Sequence, residues 1–262
     1  LLPRRLESRK AVTRAAAVGI LSGMASSVTP VAPIAGMLAA LALAVAAADP
    51  QARPAPDLDA RFASTNGRLG ADGIYAVSLP GDGARTAWLF SDTWTGRLEG
   101  GRRAQPRMIN NSVGVTDGGG PARFYYPRDA AGQAATLFTP PDGRGWYWLW
   151  AGVHDGERLF LFAARVEKAA GGGAFGFANV GTALGEVANP SDAPTAWRVA
   201  WRDVPEAWGP HRFWGSAALV HEGFAYVCGY AENGKRGLDF QRQMLLARAP
   251  AGQLGDFAAW RF

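Results

Sequence analysis

Three stretches of this chain follow one plan. Residues 73–91, 146–166 and 214–249 each read as a strand, a turn built on Asp, Glu or His beside Gly, a second strand ending in Gly, a polar loop and a further strand. A sheet unit that recurs every forty to fifty residues or so cannot bury its own faces and must stack on its neighbours, which is the sequence signature of a β-propeller. Abundant glycine and tryptophan, 34 and 10 residues, agree with short strands, tight turns and aromatic sheet faces. The expectation is an all-β fold in which roughly 200 residues form about four blades, with a fifth begun or missing. The last run, Phe257–Phe262, reads as an outer strand in which the sequence stops, so the domain is expected to be incomplete at its C-terminal end.

The first of the three units lies inside Gly70–Gly96 and carries the chemistry. Ile74–Leu79 and Thr86–Phe90 are apolar runs, and Pro80-Gly81-Asp82-Gly83 between them is turn chemistry, since Gly accepts positive φ and Asp bonds its own backbone. Asp72 precedes the first strand and Asp92 follows the second, so an antiparallel pair brings both carboxylates to one rim, flanked by Trp88 and Trp94. Two carboxylates on one rim suit general acid and base work. A hairpin with polar ends has the same appearance without any chemistry.

Other features attach to this frame. Gly96–Arg107 is polar and basic and is expected as a long connection over the rim, its arginines either solvated or facing an acidic group. Asn110, Asn111 and Ser112 open the next strand, where two amides and a hydroxyl either bind sugar hydroxyls or satisfy backbone groups at a turn. Trp146, Trp148 and Trp150 alternate and so share a face, which lines a cleft or packs on the next sheet. Three aligned tryptophans exceed one small site and favour packing. Asp155 and Glu157 are expected at a solvated turn, Ala169–Asp192 is glycine-rich and weakly patterned, and Pro205–His211 is a loop with Glu206, Trp208 and His211.

Residues 1–48 hold a basic segment, Arg4–Arg14, and an apolar run, Val31–Ala48, that ends in small residues. That order predicts a secretory signal, or an uncleaved membrane anchor, and therefore an exported, secreted, periplasmic or cell-surface protein. A Pro/Ala-rich linker is expected over 49–60 and the propeller domain over 61–262. Of 27 basic and 22 acidic residues, five bases and one acid precede Asp49, so the net charge of +5 belongs to the leader and the remainder is nearly neutral. Without a clustered basic face, a nucleic-acid partner is not expected, and a membrane is met only through the N-terminal segment. Cys228 is the only cysteine, which excludes an internal disulfide, and its apolar strand predicts a buried thiol. No Gly-x-Ser-x-Gly, phosphate-loop or dinucleotide fingerprint is present, and no metal or cofactor is expected.

The phrases GADG-x-Y-x-V-S-L, W-L-F-S-D-T-W-x-G, M-I-N-N-S-V and W-Y-W-L-W-A-G resemble those of secreted five-bladed propellers known as domains of unknown function, related to endo-D-arabinanases. The layout from about Phe62 to Phe262 is also similar to the clan of five-bladed furanosidases, whose arabinanases and xylosidases carry Ala-Asp-Pro near the first inner strand. Here Ala71-Asp72-Gly73 stands at that position, with Gly for Pro. The resemblance implies glycosidic bond hydrolysis of a polysaccharide, an arabinan-type furanoside, by two carboxylates. It implies Asp72 as base or nucleophile, Asp92 as acid or orienting residue, and Asn110, Asn111 and Ser112 as substrate ligands. Trp94, Trp150 and Trp214 are candidate stacking platforms, and His211 a group that orients substrate at the axis. Glu206 is another candidate acid. A non-catalytic carbohydrate-binding propeller at the cell surface is the alternative, and a protein-interaction propeller a third.

Overall fold

The structure, a computed structural model, describes residues 52–262 apart from residues 82, 156, 157, 171, 172, 174, 210 and 236. The expected signal and residues 49–51 of the expected linker lie outside the described residues, as does the centre of the 80–83 turn. Among the described residues no helix is long and apolar enough to cross a membrane.

Among the described residues, fourteen strands form four antiparallel sheets. The chain enters through helix α1 (Pro56–Phe62), inside the segment expected as extended linker. Pro56 opens the helix, where its missing N–H costs nothing, and Asp57 and Asp59 in the first turn complement the helix dipole. Strands β1 (Asn66–Ala71), β4 (Thr93–Glu99) and β5 (Arg102–Ile109) form the first sheet. Strands β2 (Tyr75–Ser78), β3 (Arg85–Phe90), β6 (Ser112–Asp117) and β7 (Arg123–Tyr125) form the second, in that order. The expected hairpin is there, with Tyr75 opposite Leu89 and Ser78 opposite Thr86.

The third sheet runs in chain order through β8 (Trp146–Asp155), β9 (Arg158–Lys168), β10 (Phe177–Val187) and β11 (Val199–Asp203). The fourth holds β12 (Arg212–His221), β13 (Phe224–Glu232) and β14 (Arg242–Pro250). The three units legible in sequence begin at β2, β8 and β12. The remaining sheet is not a fourth unit: it is the outward continuation of the strands of the second.

Two apolar cores separate the sheets. One lies between the second and third, with Val77, Leu89, Val113, Tyr147, Leu149 and Leu161. The other lies between the third and fourth, with Phe160, Phe162, Leu184, Trp214, Val227 and Trp260. Strand β9 is thus buried on both faces, and its residues 159–164 and 166 are at most 1% exposed. The exception in this run, Arg165, is satisfied at its ends by Asp142 and Asp203. Close stacking needs Gly215, whose φ of +89° and contact with the Phe162 ring leave no room for a Cβ.

Several expectations are corrected. Gly96–Arg107 is not a connection but most of the β4–β5 hairpin, with Glu99 paired to Arg102 around Gly100-Gly101. Its side chains are largely exposed on both faces, so no apolar alternation marks it. Ala169–Asp192 contains β10, which runs between two strands with buried neighbours on either side and so also lacks alternation. Phe257–Ala259 is a 3₁₀ turn rather than a strand, and only Arg261 bridges back to Arg248. Cys228 is half-buried, on the face opposite Ala225 and Val227.

Asp155 is 1% exposed rather than solvated. Its carboxylate accepts the N–H of Leu254 at 2.7 Å and that of Gly252, tying the tip of β8 to the turn after β14. Each charge-assisted bond is worth about 1.5–3 kcal/mol. Asp155→Ala is therefore expected to lower the urea-unfolding free energy by about 3 kcal/mol; a loss below about 1 kcal/mol would show that the turn is held by other contacts.

Candidate functional site

Three chain passes cross from the first sheet into the second side by side. The crossings are 72–74 between β1 and β2, 91–92 between β3 and β4, and 110–111 between β5 and β6. Asp72, Asp92 and Asn110 therefore stand in one row across the bend. The Asp72 N–H donates to the Asp92 carbonyl at 3.1 Å, and the Ser91 N–H donates to the Asp72 carbonyl at 3.0 Å. The structure brings together the two carboxylates that the hairpin predicts.

Gly73 makes the first crossing possible. Its φ is +60°, and a Cβ would lie 2.5 Å from Ser91 Oγ. Proline, fixed near a φ of about −65°, cannot take this conformation.

Asp92 is held by its neighbours in sequence and by a residue from another sheet. Ser91 is buried and its Oγ donates to the Leu149 carbonyl on β8 at 3.0 Å. Thr93 is fully buried, donates to the Ser91 carbonyl at 2.9 Å and shares a 2.8 Å bond with Ser112 Oγ. With the residues on either side turned inward, Asp92 turns outward, half-buried. There Trp148 Nε1 donates to its Oδ1 at 2.8 Å, and Asn110 Nδ2 approaches the same oxygen at 3.4 Å.

Asn111 and Ser112 do not face a ligand. Both are 0% exposed. Asn111 donates through Nδ2 to the Phe138 and Tyr147 carbonyls at 2.8 and 2.9 Å and accepts the Phe138 N–H, clasping the loop before β8 to the sheet. Ser112 is spent on Thr93. The turn reading of this motif is the one the geometry carries for these two residues, and Asn110 alone reaches the rim.

The tryptophans divide. Tyr147 and Leu149 belong to the core between the second and third sheets, whereas Trp146, Trp148 and Trp150 are half-buried; Trp150 packs against the core between the third and fourth sheets, and Trp146 and Trp148 pack on each other and on Phe177. Phe177 meets Trp148 edge-on at 4.9 Å, and Trp150 lies 6.0 Å from Tyr230. Trp94, two residues past Asp92, is half-buried with the Arg103 guanidinium 5.1 Å over its ring. Trp214 is no stacking platform: it is 1% exposed and packed among Trp208, Trp260 and Phe262. His211 lies elsewhere, exposed beside a separate cavity between β10 and β12. Sequence reasoning missed Trp148 as the partner of Asp92, because both faces of β8 are equally apolar in sequence. Among the described residues no group of three His, Cys, Asp or Glu side chains could hold a metal ion.

Asp72 titrates above its ordinary value of 3.8, first because its surroundings strip it of water and then because the Asp92 charge opposes its own. Its proton is held more tightly in the folded chain than in the unfolded one. Stability should therefore fall as pH rises from about 3.8 to the folded value, and Asp72→Asn should flatten that slope. In a pH titration of carboxyl ¹³C shifts, Asp92→Asn is expected to move the Asp72 midpoint down without restoring 3.8, since the desolvation persists. An unchanged midpoint would mean that the two carboxylates do not sense each other.

A family model described as "Domain of unknown function (DUF5005)" matches residues 56–262. The fold is similar to the crystal structure of a protein from Bacteroides ovatus ATCC 8483 described as a "putative hydrolase", with a TM-score of 0.59 and 18% sequence identity. The match covers 79% of this chain and 54% of that one, so the chain spans about half the length of its structural relative. At this identity the likeness concerns the fold. No curated protein matches the chain.

Proposed function

The chain belongs to the DUF5005 family, and we propose that it is a glycoside hydrolase-like protein that cleaves a polysaccharide with Asp72 and Asp92. The observation that carries this reading is the pair itself: two carboxylates joined through their backbones, one with its pKa raised and the other gripped by an indole N–H. Glycosidic cleavage needs one carboxyl that keeps its proton and one that does not. The raised pKa favours Asp72 as the proton donor, and the donors on Asp92 favour it as base or nucleophile. These roles are the reverse of those that the resemblance implies.

The reading extends to architecture and place. The second, third and fourth sheets are taken as consecutive propeller blades, because each runs in chain order from one edge and the strands that begin them, β2, β8 and β12, adjoin in sequence. A five-bladed propeller related to endo-D-arabinanases and furanosidases is the form that the resemblance implies, and the description of the structural relative as a hydrolase is compatible with it. Export, by cleaved signal or membrane anchor, would put the protein where polysaccharide is met. The half-buried face of Trp148 and Trp150 beside Asp92 offers apolar surface for sugar rings. Asn110 supplies an amide and Trp94 a ring next to the carboxylates.

Reducing-end release from arabinans, xylans and fructans tests this. Release from one polymer is expected, falling by about 10³-fold or more in Asp72→Asn and in Asp92→Asn with the fold retained. Trp148→Phe keeps an aromatic ring but removes the indole N–H, so a smaller fall of about tenfold is expected. Binding of a polymer without any release would replace this reading with the non-catalytic carbohydrate-binding propeller.

A further inference from the structure

The cavity beside His211 is separate from the carboxylate row. It measures about 500 Å³, within the range of small-ligand pockets, and lies between β10 and β12. Val180, Val204, Trp208 and Phe213 give it apolar walls. Asn179, Glu206, His211 and Arg212 add polar groups. The side chains of Glu206, His211 and Arg212 have no hydrogen bond or ion pair among the described residues.

Two further features point to an occupant. Trp214 lines the cavity, is 1% exposed, and its indole Nε1 is buried without a hydrogen-bond partner. A buried N–H left unpaired is costly, and this one belongs to a residue of the cavity wall. His211 has a φ of +57°, a left-handed conformation that a residue other than Gly takes at a cost, and such residues gather at ligand sites.

We infer that this cavity is a second saccharide-binding site, taking one sugar unit away from the Asp72–Asp92 rim; the choice of ligand class rests on the carbohydrate reading above. The lining selects an uncharged amphipathic ligand. Glu206 opposes an anion and Arg212 opposes a cation, while together they hydrogen-bond a polyol from both sides. The half-buried indole ring of Trp208 suits the C–H face of a sugar. The two sites are linked by a row of rings. Trp148 holds Asp92, Trp150 is half-buried two residues on, Tyr230 lies 6.0 Å from Trp150, and Asn179 in the cavity wall is near enough to influence the Tyr230 hydroxyl. A polymer lying along that row would engage both sites.

The test uses arabino- and xylo-oligosaccharides of graded length, followed by tryptophan fluorescence and saturation-transfer NMR. Glu206→Gln and His211→Asn are the variants, both at exposed positions, and Asn tolerates the left-handed backbone of His211. The expected result is binding that each variant weakens by about tenfold and that strengthens once the chain is long enough to reach both sites. Failure of every saccharide to bind, or binding that neither variant weakens while circular dichroism shows the fold intact, would overturn the inference. Polymer cleavage with no sensitivity at Glu206 and His211 would remove this site and leave the hydrolase reading standing. Glu206-sensitive binding without cleavage would do the reverse.

Discussion

Strand β9 of the third sheet is buried on both faces, and the other elements are arranged by that constraint. Leu159–Ala164 present side chains alternately to two different cores, so neither face can meet water and each needs a covering sheet. The second sheet covers one face and the fourth the other. Steric limits set the spacing: Gly215 against Phe162 on one side, and on the other Gly152, where a Cβ would lie 2.9 Å from Val77. With interiors packed as densely as organic crystals, shifts at these contacts propagate. The position of β2 and β3 relative to β8, and hence of Asp92 relative to Trp148, is a consequence of core packing.

The same stacking explains why a row of polar residues surrounds Asp92. Where three strands bend from one sheet into another, ladder pairing is interrupted and backbone groups lose their regular partners. Buried side chains take over that role: Ser91 reaches the Leu149 carbonyl, Thr93 the Ser91 carbonyl, and Asn111 the Phe138 and Tyr147 carbonyls. A polar motif at such a bend is doubly determined. Its inward members satisfy the backbone, and only those that alternate outward are available for chemistry.

How much of this was legible in the sequence follows from the same distinction. The hairpin and the meeting of Asp72 with Asp92 rest on local turn chemistry and alternation, which are written in neighbouring residues. The three units are legible because each repeats the same local pattern. Strand β10 and the β4–β5 hairpin were hidden for opposite reasons. One is covered on both sides and the other exposed on both, and neither leaves the period-two contrast that identifies a strand. Asn111 and Ser112 look like ligands in sequence because burial is decided by which strand pass lies above them. Trp214 was misjudged for the same reason, and Asp155 because its amide partners lie near residue 250, far along the chain.

The carboxylate row joins local and distant determinants. The proximity of Asp72 and Asp92 is local, set by a hairpin and the left-handed Gly73. Their difference is not local. Asp92 receives its indole donor from β8 in another sheet, whereas the raised pKa of Asp72 comes from its surroundings and from Asp92. Two carboxylates drawn together by a hairpin alone would be chemically alike, each opposing the other's charge. Stacking a second sheet against one of them breaks that equivalence: Asp92 gains an indole donor that Asp72 lacks. The asymmetry between the two carboxylates thus rests on packing between sheets, and it would be lost if the second and third sheets separated even with the hairpin intact.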